Sequence, residues 1–153
     1  MRRLFVLLLL LGSIAATSAA DAVTGSVVKV LPLFLDLKGH DAPSPSLFDR
    51  DAYQAYLRVN TNEISAVRFD VQWSAANTGK TQLKLRLELR GVGEKSLPRQ
   101  TTLEQTVTPH AFSHWTSLTL GGDDRKNFGD VVAWRATLWA GDQIIGEQKS
   151  FLW

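Results

Sequence analysis

Residues able to do chemistry are few and scattered. His110 and His114 are spaced i, i+4, which on a helix brings two imidazoles to one metal ion. Pro109 before them and Trp115-Thr116-Ser117-Leu118 after them favour extended chain instead. There the two positions stand about 13 Å apart, too far to share an ion. No third ligand lies nearby, so neither a metal nor any other cofactor is expected. Gly122-Asp123-Asp124 with Asn127 and Asp130 forms an acidic stretch of the kind that can hold calcium. It lacks the alternating oxygen ligands and closing glutamate of a helix–loop–helix calcium site, and an ordinary turn accounts for the same residues. His40, beside Asp41 and near Ser44 and Ser46, has the residue types of a serine–histidine–aspartate set. Neighbours on one proline-rich loop rarely face each other and offer no rigid oxyanion hole. A glycine-flanked nucleophilic serine is missing too, and cysteine does not occur. The chain is expected not to be an enzyme; a small hydrolase using His40 is the weakest of the readings.

Five tryptophans are the more informative surplus. Trp73 and Trp134 fall in phase with apolar neighbours and belong to the core. Trp115, Trp139 and Trp153 fall out of phase, and solvent-facing indoles stack on sugar rings or anchor protein interfaces. These three are the candidate ligand- or partner-binding residues. For the patch around Val131, Phe151 and Trp153, the expected cover is a helix laid on the sheet.

The elements that must position these groups follow from hydrophobic period. Val67, Phe69, Val71 and Trp73 alternate with Arg68, Asp70 and Gln72, and Leu83, Leu85, Leu87 and Leu89 with Lys84, Arg86, Glu88 and Arg90. Such ribbons have one dry and one wet face, as in antiparallel sheets. Weaker strands are expected at 101–107 and 115–120, with glycine-rich breaks at 91–93 and 121–124. A closing hairpin is expected over 131–139 and 143–153. A three-residue loop, 140–142, puts Val132, Trp134, Ala136 and Leu138 on one face with Ile144, Gly146 and Leu152, and sets Arg135 opposite Glu147. Residues 27–37 form an opening strand that Pro32 confines to a sheet edge or a kink. Between it and the second strand, Phe48, Ala52, Ala55, Tyr56 and Val59 recur at helical spacing, and Ser46 with Asp49 supplies a helix start. One helix is therefore expected over 47–59.

The fold class expected is all-β: a two-sheet antiparallel sandwich of about seven strands with one helix inserted between the first and second. Val71-Gln72-Trp73 and Trp134-Arg135-Ala136-Thr137-Leu138 resemble a fibronectin type III or immunoglobulin-like domain over residues 25–153, the helix apart. The usual third-strand tyrosine is absent, since residues 83–89 present only leucine on that face. The resemblance implies a domain that binds proteins or sugars, or acts as a spacer, without choosing among them.

Charge and compartment narrow the classes further. Arg2 and Arg3, an apolar run through Leu11 and the small residues up to Ala20 have the order of a secretory signal, with cleavage expected after Ala20. Its continuous apolar part is shorter than the roughly 20 residues of a spanning helix, so no stable membrane insertion is expected after cleavage. Without cysteine there is neither a lipid-anchor site nor a disulfide, and residues 21–153 must hold together by burial as a single domain. The leader carries two of the 17 basic residues, leaving 15 against 15 acidic ones. The signs alternate along the chain, which removes nucleic acid as a partner. The terminal Phe151-Leu152-Trp153 has the look of an outer-membrane barrel signal, but charged wet faces exclude lipid-facing strands. A periplasmic or secreted interaction module is the leading expectation, with a protein partner first and a polysaccharide partner second.

Overall fold

The computed structural model describes residues 22–93, 96–109 and 112–153; the expected signal segment and His110 lie outside them. The described residues contain seven strands: β1 (Thr24–Asp36), β2 (Ile64–Ala76), β3 (Leu83–Val92), β4 (Pro98–Val107), β5 (His114–Gly121), β6 (Asp130–Ala140) and β7 (Gln143–Lys149). They form two antiparallel sheets, ordered β1-β2-β5 and β4-β3-β6-β7. Helix α1 (Leu47–Val59) lies between β1 and β2, and a short α2 (Gly122–Phe128) between β5 and β6. Alternation sets the core. Val67, Phe69, Val71 and Trp73 of β2 and the four leucines of β3 are buried among Val30, Leu118, Leu120, Ala136 and Leu138. Each such side chain contributes about 1.5–3 kcal/mol on burial, which has to suffice in a chain without disulfides.

Helix α1 starts as its sequence implies. The Ser46 hydroxyl accepts the Asp49 N–H at 3.4 Å, and Asn60 closes the last turn on the Tyr56 and Leu57 carbonyls. Its orientation is the reverse of the expected one. Phe48 and Val59 are 82% and 80% exposed, whereas Gln54 and Leu57 are buried. The cause is the main chain of β1, an edge strand. The Gln54 carboxamide accepts the Phe34 N–H at 2.7 Å and donates to the Phe34 and Asp41 carbonyls at 2.9 Å. A buried strand edge needs polar partners more than it needs apolar cover. Phe48→Ser is accordingly expected to change stability by no more than about 0.5 kcal/mol. Gln54→Leu, which adds apolar bulk, is expected to cost about 1–3 kcal/mol by orphaning the Phe34 N–H. Urea denaturation of the two variants checks this, and the opposite ranking would return the apolar stripe to the interface.

Three further expectations are corrected. Residues 122–128 form α2 rather than a turn: Asp123 and Asp124 occupy its first turn, Arg125 and Lys126 its last, and Phe128 plugs the end of the core. That charge order suits the helix dipole. The closing hairpin turns on two residues, Gly141-Asp142, with Ala140 opposite Gln143 and a register shift that makes Ile145 the extra residue. Thr137 therefore faces Glu147, and Arg135 faces Lys149. Ile145 packs against the core while Ile144 is exposed. Arg135 finds its carboxylate on the other side, at Glu88 (2.7 Å), with Glu147 at 3.9 Å. A second shift, between Arg90 and Gly91, expels Val132 from the core face. Finally, β7 stops at Lys149. Ser150 exchanges hydrogen bonds with the Trp134 main chain, and the C-terminus folds back over the four-stranded sheet.

Candidate binding edge

Two sheets present four terminal strands, and the protein treats them in pairs. β1 is blocked along its length. It bears Pro32, two register irregularities and the Gln54 cap. Its first residues are pressed against β7, where a side chain on Gly146 would fall 2.8 Å from Ser26 Cα. That close approach covers β7 as well. Among the described residues β4 and β5 carry no mid-strand proline, register shift or side-chain cap of this kind. Their registers against β3 and β2 run without a shift, neither holds a lysine, and the one proline, Pro98, opens β4. Among the described residues each pairs on one side only. An unpaired strand edge is a row of free N–H and C=O groups, and soluble proteins ordinarily blunt it with proline, lysine or a bulge.

Along β5 the two faces differ. Leu118 and Leu120 point to the core, and Thr116 accepts the buried Trp73 indole N–H at 2.8 Å. Outward stand Trp115 opposite Gln72, Ser117 opposite Asp70 and Thr119 opposite Arg68. Ser117 donates to Asp70 at 2.6 Å, and Arg68 is paired with Asp70 and Asp41. The polar ladder beneath the edge is thus paired at Ser117, Asp70 and Arg68, while Trp115 is 50% exposed and Phe112, in the preceding loop, is still more open. The strand offers main-chain partners along its length and an aromatic anchor at its start.

The other two candidate tryptophans sit elsewhere. Trp139 projects from the outer face of the four-stranded sheet, with the Arg86 guanidinium 4.6 Å from its ring centroid and its N–H on Thr137. Trp153 lies against Arg90 at 4.0 Å and Arg135 at 5.1 Å. The expected helical cover over Trp153 is therefore replaced by two arginines, each cation–π contact contributing about 0.5–1 kcal/mol at such exposure. On the same face the hydrogen bond from Arg86, with Lys84 beside it, holds the Glu104 carboxyl below its ordinary range. Trp115 is on the outer face of the opposite sheet. The sandwich separates the three indoles and builds no common platform from them.

No model of a known protein family matches the chain, and no curated protein matches it. Among solved structures it is similar to a crystal structure from Akkermansia muciniphila, with a TM-score of 0.52 and 13% identity over 84% of this chain and 70% of that one. The likeness is one of fold. The chain is a two-sheet antiparallel β-sandwich.

The residues around His40 are taken apart by the structure. Ser44 donates to Asp49, Ser46 caps α1, Asp41 pairs with Arg68, and His40 stands 3.8 Å from Asp36. Asp36, unnoticed in the sequence, is the organiser of this loop. It accepts the His40 and Lys38 N–H groups and the Tyr53 hydroxyl, each at 2.8 Å. The His40 N–H, ahead of the other donors, holds the Asp36 carboxyl below its ordinary 3.8 against a smaller effect of burial. A carboxyl depressed on folding adds stability above its unfolded pKa, and loses it as pH falls through the folded one. The loop is therefore expected to stay closed from neutrality down to the ordinary carboxylate range and to open only below it. Amide signals of Lys38 and His40 followed through an acid titration check this; opening at higher pH would contradict it. Of the acidic stretch, Asp123 is paired with Lys126 at 3.8 Å and Asp130 with Arg125 at 3.7 Å.

The open edge was not visible in the sequence, because it depends on which strands end the sheets. The available signal was the run of Thr, Ser and Gln without lysine in both strands.

Proposed function

We propose that the chain is an exported, non-enzymatic interaction module, immunoglobulin-like in its wider kinship, that binds a protein partner by accepting an extended segment along β5. The observation that carries this reading is the asymmetry of the edges: β1 and β7 are closed by named devices, while β5 is continuous, without a strand on its outer side among the described residues, and headed by a half-exposed tryptophan. Strand addition draws affinity from main-chain hydrogen bonds and specificity from alternate side chains. Trp115 is the anchor, with Ser117 and Thr119 as its alternate neighbours on the outer face. The strand order supports the wider kinship, and the leader-like first twenty residues support export into the periplasm or medium.

A photoreactive phenylalanine analogue placed at Thr119, and separately at Val28 on β1, tests this in cells of the native source. The reading expects one discrete protein adduct from position 119, its yield reduced by Trp115→Ala, and none from position 28. Adducts of equal yield from both positions, or none from β5, would overturn it. Retention on insoluble polysaccharide that disappears with Trp115→Ala, without any protein adduct, would replace the protein partner by a sugar.

A further inference from the structure

On the side where β7 ends and β1 runs on past it, the space between the sheets stays open as a cavity of about 320 Å³. Its walls include Phe34 of β1, Val67 and Phe69 of β2, and Val131 and Trp134 of β6. Arg58 of α1 and Arg125 of α2 also line it, with Asp130. The charges are unbalanced. Arg125 is only 12% exposed, and its Nε is buried without a hydrogen-bond partner among the described residues. Its one carboxylate among the described residues, Asp130, is 3.7 Å away and 79% exposed. Arg58 has no ion pair or hydrogen bond from its guanidinium among the described residues.

A guanidinium held in an apolar slot without full pairing is costly. A buried donor left unmet is unfavourable, and a buried charge left unmet more so. Phe128 of the same helix belongs to the buried core, and Arg125 does not. An anionic head group could meet the terminal amines of Arg125, which carry its remaining exposure, in the bidentate geometry that carboxylates offer to arginine. An apolar body behind it would fill the walls. The volume is at the lower end of the roughly 300–1,000 Å³ typical of small-molecule sites. At about 30 Å³ per water-sized group it holds a tail of roughly ten carbons.

We propose that this cavity binds a small amphipathic carboxylate, its apolar body between Phe34, Phe69 and Trp134 and its head on Arg125, with Arg58 as a second, outer cation. The site is separate from the β5 edge, and neither depends on the other.

Decanoate, decan-1-ol and acetate, titrated into the protein, test the assignment by calorimetry and by the ¹⁵N signal of the Arg125 Nε–H. Decanoate is expected to bind about tenfold tighter than decanol, the worth of one charge-assisted hydrogen bond, and to move the Arg125 signal. Acetate, which lacks the tail, is expected not to bind. Arg125→Gln should abolish the preference for decanoate over decanol. Arg58→Gln, a change at an exposed residue that leaves the fold intact, should reduce it by a smaller factor and serves if the first variant fails to fold. Equal affinity for decanoate and decanol, no binding of decanoate, or shifts confined to the exposed face of α1 would each overturn the proposal.

Discussion

Leu85→Ala is expected to destabilise the domain by about 2–5 kcal/mol, the range for a leucine removed from a packed interior. Leu85 is fully buried at the centre of β3, with Gln105 and Leu138 as its cross-strand neighbours. Strands flank it on both sides, so little backbone is free to collapse into the void. A single domain of this size has about 5–15 kcal/mol of total stability, and no disulfide limits its unfolded state. The loss is therefore a large fraction of the whole. Urea denaturation at neutral pH measures it, with the slope unchanged and the midpoint lowered. A loss comparable to that of a surface substitution would mean that the leucine ladder does not face the core.

Gly129→Ala is expected to be as severe for a different reason. Gly129 ends α2 at φ +82, and a Cβ there would stand 2.2 Å from the Val92 carbonyl oxygen and 2.7 Å from Gly93 Cα. Both obstacles are main chain and cannot rotate aside. Strain at such a φ costs about 1–3 kcal/mol, and forcing β3 away costs about 1–3 kcal/mol more. The displaced α2 would carry with it Phe128, which packs against the core, and Arg125 at the cavity. Gly39→Ala is the control: its φ is +83, but nothing among the described residues lies within 4 Å of the added carbon. It should lose only the left-handed penalty of about 1–2 kcal/mol. Equal losses in the two variants would show that the Val92 contact does not decide the effect.

How far the fold could be read from the residues depends on what each element answers to. β2 and β3 answer to burial, and their alternating apolar residues are the buried ones. The bounds of α1 answer to local chemistry, at Ser46 and Asn60, and were readable for that reason. Its orientation answers to the Phe34 main chain, a demand that no side-chain pattern displays. The hairpin register failed for a related reason: Ile144 and Ile145 are equally apolar, so period alone does not say which one is the extra residue. α2 is too short to show a helical stripe. The candidate site was readable only residue by residue. Trp115, Trp139 and Trp153 were visible as out of phase, but strand order decides which sheet each one faces. Strand order likewise decides that β5 ends a sheet while β2 does not.

If a partner strand pairs with the β5 edge, amide hydrogen exchange on the purified adduct will show new protection within His114–Gly121, with β1 and β7 unchanged from the free protein. Protection confined to α1, or an adduct whose β5 amides exchange as fast as in the free protein, would contradict it.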